Sequence, residues 1–163
     1  MTDRPIRLFG DPVLRSPSDP VTVGDPGLAD LVQDLLDTVT LPGRAGVAAC
    51  QIGVGLRAFS YNVDGEIGYV LNPVLVETRG EADLVDEGCL SVPGFYFPRR
   101  RFPWARVEGV DLDGNPVVLE GEGLMAQALQ HETDHLDGQL YVMGLDPEIK
   151  RDAMRQIRES DWF

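Results

Sequence analysis

The chain has 163 residues, of which 43% are hydrophobic and 25% are charged, proportions typical of one compact globular domain, residues 1–163. Its net charge of −13 argues against general nucleic-acid binding, specific DNA binding and attachment to an anionic membrane surface. The first residues lack the apolar stretch of a secretory signal, and no apolar run is long enough to span a bilayer, so we expect a cytoplasmic protein with no membrane partner.

The first half of the chain predicts one helix and two strands. Apolar residues recur at helical spacing from Leu28 to Val39, and Asp25 and Pro26 make a plausible cap and first turn. Strands are predicted at residues 56–63 and 69–77. A hairpin across Asp113-Gly114 follows, with its strands at 105–112 and 116–119.

Two further helices complete the predicted elements. One runs from about Gly123 to Leu136 and stops near Gly138, where glycine favours a helix end. The other runs from Pro147 to about Glu159. Its predicted cap is Asp146. Helices outside a mostly antiparallel set of strands predict an α+β fold, with strands packed around the middle helix and one helix towards each end of the chain.

The chain's only two histidines lie on the middle helix in the sequence H131-E132-T133-D134-H135. Residues four apart project from one face of a helix, so both imidazoles can hold one metal ion. Glu132 can then accept a proton from a metal-bound water. The alternative is a pair of partly exposed histidines beside a solvated glutamate.

The best candidate for a third metal ligand is Cys89, in the segment E87-G88-C89-L90-S91. A thiolate suits zinc or ferrous iron, and three protein ligands leave the fourth position open for water. Taken alone, Cys89 also fits a small buried apolar position. No motif recruits the other cysteine, Cys50, which we expect to be buried. Two cysteines do not make a disulfide framework, so a reducing compartment is favoured.

A third segment, G46-V47-A48-A49-C50-Q51, combines small residues with a polar side chain. Small residues allow a backbone to pass close to a ligand. The Gln51 amide can stabilise charge that develops on an oxygen. The alternative is a tight connection between a helix and a strand that carries a surface glutamine.

Together these three segments resemble the peptide deformylases. The motifs of that family are a glycine-and-alanine loop ending in glutamine, then EGCLS, then QHExDHLxG. The matching segments here are residues 46–51, 87–91 and 130–138. One departure is Arg44, which stands where the family usually has glycine. This guanidinium either contacts a substrate's backbone or carboxylate, or remains a solvated loop side chain.

The resemblance implies a role for each motif residue. Cys89, His131 and His135 hold the metal, which is Fe²⁺ in the cell, although Zn²⁺ or Ni²⁺ can occupy such a site. Glu132 takes a proton from the metal-bound water and later gives one to the departing amine. The metal, the Gln51 amide and the Leu90 N–H receive the negative charge on the formyl oxygen. The substrates are N-formylmethionyl peptides and nascent chains, and the products are formate and a free N-terminal methionine.

The substrate pocket is expected beside the middle helix. Leu124, Gln127 or Ala128, and His131 share one face of that helix. Equally, Gln127 can hydrogen-bond within the core. By resemblance, Ala45 and Val85 lie nearby and Gly46 offers backbone hydrogen bonds, so the pocket should admit an unbranched thioether side chain.

Other predictions concern support, partners and alternative functions. By pairing with Glu87, Arg101 would fix the cysteine loop; the alternative is a solvated arginine cluster. Association with the ribosome is implied by resemblance, and the last helix offers a basic face, although helix-end charge pairing also explains these residues: Lys150, Arg151, Arg155 and Arg158. Two alternative functions remain open at this point. A zincin-type metallopeptidase would normally take a third metal ligand, His or Glu, downstream of the two histidines, but no histidine follows His135. A non-catalytic metal- or peptide-binding module would more naturally have lost Glu132 or Gln51.

Overall fold

The computed structural model describes residues 3–163. Its α-helices are α1 (Leu28–Val39), α2 (Gly123–Leu136) and α3 (Pro147–Arg158). Its strands are β1 (Gly46–Ala48), β2 (Ala58–Val63), β3 (Glu66–Arg79), β4 (Asp83–Cys89), β5 (Val92–Arg101), β6 (Trp104–Val110) and β7 (Pro116–Glu122). Short 3₁₀ helices span Pro12–Arg15, Ala49–Ile52 and Tyr141–Gly144. No helix within residues 3–163 is long and apolar enough to cross a membrane.

The strands form two antiparallel sheets. One has five strands in the order β1-β2-β3-β6-β7, and the other is the hairpin of β4 and β5. With helices near both ends of the chain, this arrangement confirms the predicted α+β class.

The five-stranded sheet lies between α1 and α2. Successive side chains of a strand point to opposite faces, and the two hydrophobic cores follow that alternation. Val47 and Ala58 pack in the core that contains α1, whereas Ala48 and Phe59 pack in the core that contains α2. The sheet therefore holds α2, with its histidines, on a single face.

One predicted helix cap is wrong, and the other is confirmed. The residue that caps α1 is Gly27, with φ of 86°, because Asp25 and Pro26 form a turn in which the Leu28 N–H donates to the Asp25 carbonyl. Asp146 is the N-cap residue of α3, as predicted, although its carboxylate accepts hydrogen bonds from Arg100 rather than from the helix.

The hairpin of β4 and β5 was not predicted. Its sequence lacks clean apolar alternation, since β5 contains Pro93 and Pro98 and ends in three arginines. A two-stranded sheet tolerates proline because each strand has a free edge on which no N–H is needed. β1 was also missed, because three residues are too few for a periodic signal.

The glycine after α2 yields a stability prediction. Gly138 has φ of 76°, and a Cβ there would lie 2.8 Å from the Arg15 carbonyl oxygen. We expect Gly138→Ala to lower the free energy of unfolding by about 2–3 kcal/mol, through backbone strain and this clash. Urea denaturation measures the change. Gly114→Ala is the matched control: its φ is 82°, but its nearest neighbour is the Val23 side chain at 3.9 Å. Equal losses in both variants would contradict the clash.

Candidate active site

The two histidines of α2 and the cysteine that ends β4 point at one another. The Nε2 atoms of His131 and His135 are 3.1 Å apart, and the Cys89 Sγ lies 3.4 Å from the His135 Nε2. All three ligand atoms lie within 4.8 Å of one another. His135 is fully buried. A thiol and two imidazoles therefore converge on one small volume.

The spacing of these atoms fits one divalent metal ion. Metal–ligand lengths of about 2.3 Å to sulfur and about 2.05 Å to nitrogen in a tetrahedral shell give edges of about 3.6 Å and about 3.3 Å. The observed separations of 3.4 Å and 3.1 Å are close to those edges. Thiolate and imidazole are donors that suit zinc and ferrous iron, and three of them leave one tetrahedral position for a reactant.

The glutamate between the histidines is buried and partly unpartnered. Glu132 is 3% exposed, and its Oε1 atom has no hydrogen-bond partner among residues 3–163. Its Oε2 lies 4.0 Å from the His131 Nε2. Burial raises the pKa of Glu132 to about 7. Such a carboxyl group can both accept and return a proton near neutral pH, as general acid–base catalysis requires.

Gly46 leaves room for this carboxylate. A Cβ at Gly46 would lie 2.5 Å from the Glu132 Oε2, so any side chain there must displace the glutamate. We expect Gly46→Ala to lower kcat/KM for a formyl-methionyl peptide about a hundredfold while bound metal stays near one ion per chain, because the Glu132 carboxylate moves and the candidate ligands do not. Steady-state kinetics and elemental analysis of the same sample measure both quantities. Unchanged kcat/KM would contradict this packing.

A buried ionic network fixes the orientation of one histidine. The His131 Nδ1 donates to the Glu87 Oε2 at 2.7 Å, so its Nε2 faces the cluster. Arg101 donates twice to Glu87, at 2.8 and 2.6 Å, and once to Asp134 at 2.7 Å. Burial opposes ionisation, but the bonds from Arg101 and His131 prevail and lower the pKa of Glu87 to about 2. The alternative of a solvated arginine cluster therefore fails for Arg101, which is 6% exposed.

Gln51 is buried, not a surface glutamine. Its Oε1 accepts a hydrogen bond from the Ala48 N–H at 3.0 Å, and this contact sets which way the amide faces. Its Nε2 consequently points at the Ser91 Oγ at 3.1 Å and the Cys89 Sγ at 3.6 Å. An amide donor thus lies beside the candidate metal position.

A cavity of about 440 Å³ opens onto the cluster. It brings together the predicted catalytic or ligand residues Glu132, Leu90, His131 and Cys89 with all but one of the predicted substrate-binding residues, namely Ala45, Gly46, Leu124, Gln127 and Ala128. Both interpretations of Gln127 hold in part, since it lines the cavity while its Nε2 donates to the Asp86 carbonyl at 3.2 Å.

Val85 was expected in this cavity, and the structure places it elsewhere. It lines a neighbouring cavity of about 620 Å³, on the far side of Leu124 and Gln127, which line both. The reason is strand geometry: Val85 is two residues before Glu87 on β4, and two residues span about 6.6 Å. The Val85 side chain therefore lies on the other side of Gln127, in the neighbouring cavity.

Sequence reasoning missed several contributors to the site. Ser91 and Asp134 lie inside the EGCLS and HETDH segments, so their positions beside ligands were an available signal. Phe95 and Tyr96 line the cavity from β5, and no signal pointed to them because that strand was not predicted.

Cys50 is a buried thiol, as expected from the sequence. It is fully buried, and its Sγ donates to the His135 carbonyl at 3.6 Å. Burial raises its pKa to about 12, so Cys50 stays protonated and lies outside the ligand cluster.

Three side chains that could hold a metal ion, with a carboxyl group of raised pKa and an amide donor beside them, are the parts that a metal-dependent hydrolase requires. Comparison with known proteins supports this class of enzyme. The sequence profile of the polypeptide deformylase family matches residues 3–151. The chain belongs to this family, whose members remove the N-formyl group from nascent polypeptides in a metal-dependent reaction. This membership confirms the resemblance and decides against the metallopeptidase and the non-catalytic module.

Individual relatives cover nearly the whole chain. Peptide deformylase from Acidothermus cellulolyticus is 51% identical over 162 residues, which cover 99% of this chain and 89% of the relative. The peptide deformylase of Mycolicibacterium paratuberculosis is 49% identical over 97% of this chain and 89% of its own. Among solved structures, a peptide deformylase from Legionella pneumophila has a TM-score of 0.88 at 38% identity, covering 96% of this chain and 94% of that one. The Thermus thermophilus enzyme has a TM-score of 0.87 at 40% identity, covering 96% and 93%.

Proposed function

We propose that Cys89, His131 and His135 hold the divalent metal on which deformylation depends, and that this metal is Fe²⁺ in the cell. The convergence of their Sγ and Nε2 atoms is the observation that carries the proposal. One thiolate and two imidazoles also accept Zn²⁺ or Ni²⁺, which can replace iron during purification. The catalytic domain is residues 1–163 as one unit.

The metal held there supplies Lewis-acid activation of water and of the formyl oxygen. The carboxylate of Glu132, whose Oε1 has no hydrogen-bond partner among residues 3–163, takes the proton of the attacking water and later passes a proton to the departing amine nitrogen. The Gln51 Nε2 and the Leu90 backbone N–H donate to the oxygen on which negative charge develops. Loss of one such donor typically costs about a hundred- to a thousandfold in rate.

The cavity beside the cluster receives the methionine side chain of the substrate. Leu124 and Ala128 line it, and the small methyl group of Ala128 leaves room for an unbranched thioether. The segment of Ala45 and Gly46 provides backbone hydrogen bonds to the peptide. Support comes from β1, which is an edge strand and has one side open for pairing.

The enzyme works in the cytoplasm, and we propose that it meets formylated nascent chains at the ribosome. Arg155 pairs with Asp152 on α3 and with Glu159 directly after it, which supports ordinary helix charge pairing at that residue. Lys150, Arg151 and Arg158 form no ion pair with residues 3–163 and remain the candidate contacts with rRNA.

The experiment that tests this function is formate release from formyl-Met-Ala-Ser by protein purified without oxygen. We expect turnover with one iron bound per chain. In Cys89→Ser, metal binding should be lost or greatly weakened, because serine replaces a thiolate with a weakly acidic hydroxyl. Undiminished metal affinity in Cys89→Ser would remove Cys89 from the ligand set. Absence of formate from iron-loaded protein would overturn the function.

A further inference from the structure

Arg44 is a cation at the active-site cavity that nothing described so far uses. Among residues 3–163, it is the only lysine or arginine that lines this cavity. Its Nη1 donates to the Thr38 carbonyl at 3.1 Å, near the end of α1. No carboxylate within residues 3–163 forms an ion pair with it, whereas Arg99, Arg100 and Arg101 are all paired. Arg44 therefore retains donors and a positive charge that no carboxylate in the described part of the chain neutralises.

Besides Arg44, three carboxylates line the cavity, and they differ in burial and pairing. Glu87 is neutralised by Arg101, and Glu132 is buried at the inner end beside the histidines. Asp86 also lines the cavity, is exposed and forms no ion pair with residues 3–163. The outer part of the cavity thus carries two opposite charges of its own, one at Arg44 and one at Asp86, in a protein of net charge −13.

The position of Arg44 in the chain places it beside the substrate residues that follow methionine. Gly46 marks the reactive end of this segment, since its missing Cβ would meet Glu132. Arg44 is two residues earlier, and two residues of extended chain span at most about 7 Å. A peptide paired with the open edge of β1, which begins at Gly46, covers a similar distance in two residues. Its formyl group at Glu132 therefore brings its second or third residue near Arg44.

We propose that Arg44 makes the enzyme prefer formyl-methionyl peptides with a carboxylate side chain at the first or second residue after methionine. This preference rests on the proposed function of the same site. An exposed or half-buried ion pair of this kind changes binding by a small factor that salt reduces.

The test compares kcat/KM for peptide amides, whose blocked carboxyl end cannot itself bind Arg44. The neutral reference is formyl-Met-Ala-Ser-amide, and the charged set places Asp or Lys at the second or third residue. At low salt we expect the wild type to favour Asp over Lys by about two- to fivefold at one of these positions. In Arg44→Met that ratio should fall to about one, as it should for the wild type in high salt.

Two controls separate this role from support of α1. A purely structural Arg44 would make Arg44→Met lower kcat/KM equally for all peptides, along with the melting temperature, and that result overturns the proposal. Asp86→Asn removes the opposite charge and should raise the Asp-to-Lys ratio. An Asp-to-Lys ratio of one in the wild type, with the neutral peptide still deformylated, also overturns the proposal and leaves the function standing. Failure to deformylate any peptide overturns the function itself.

Discussion

Replacing Glu132 with glutamine is expected to lower kcat/KM for formyl-Met-Ala-Ser by about two to four orders of magnitude. Glutamine keeps the size of the buried side chain but cannot take a proton from the attacking water. The residue is 3% exposed and its Oε1 has no hydrogen-bond partner within residues 3–163, so one carboxylate oxygen remains available to accept a proton. Steady-state formate release measures the loss.

The metal content of the same variant is the necessary companion measurement. We expect about one ion per chain in Glu132→Gln, because the three proposed ligands are untouched. Glu148→Gln, at an exposed position of α3, is the matched control and should keep wild-type activity. A Glu132→Gln enzyme that retains more than a tenth of wild-type kcat/KM would remove Glu132 from the proton-transfer role.

Replacing Arg101 with methionine is expected to lower the free energy of unfolding by about 3–5 kcal/mol. Arg101 is 6% exposed and donates to both oxygens of Glu87, so its loss leaves a buried carboxylate without its main counter-charge. Glu87 also orients His131, and we therefore expect metal affinity to fall about ten- to a hundredfold. Urea denaturation at fixed metal concentration and competition with a chelator measure the two effects.

The neighbouring arginine supplies a control for this prediction. Arg100 pairs with Asp146 at the surface, and its replacement by methionine should leave stability close to that of the wild type. The double variant Glu87→Gln/Arg101→Met should recover part of the lost stability, since the unpaired charge is gone. If Arg101→Met were as stable as Arg100→Met, the buried pair would contribute nothing to the fold.

Local periodicity predicted the elements that carry most of the site. α2 has the predicted bounds because its helical spacing and terminal glycine are read within one segment, and that spacing places His131 and His135 together. Glu87 and Arg101 were paired correctly from charge alone. The metal and catalytic roles of the motif residues stay predictions until they are measured.

The features that could not be predicted from the sequence depend on pairing between segments that are distant in the chain. The hairpin of β4 and β5 becomes regular through hydrogen bonds between its strands, so its proline- and arginine-rich sequence carries little periodic signal. The displacement of Val85 and the contribution of Tyr96 to the cavity both follow from that hairpin. The third contact of Arg101, with Asp134, requires β5 and α2 to be packed together first.

The layering of the five-stranded sheet has a consequence for adaptation to heat. Cys89 packs with the core on the α2 side, where the histidines also lie, and α1 closes the opposite side with Leu31, Leu35 and Val39. Substitutions at well-separated positions usually act independently. Substitutions that improve packing in the core beneath α1 can therefore raise the melting temperature with little loss of kcat. Substitutions in the core beneath α2 are more restricted, because that side of the sheet carries the candidate active site. In thermophilic variants of this enzyme, stabilising changes should accumulate under α1.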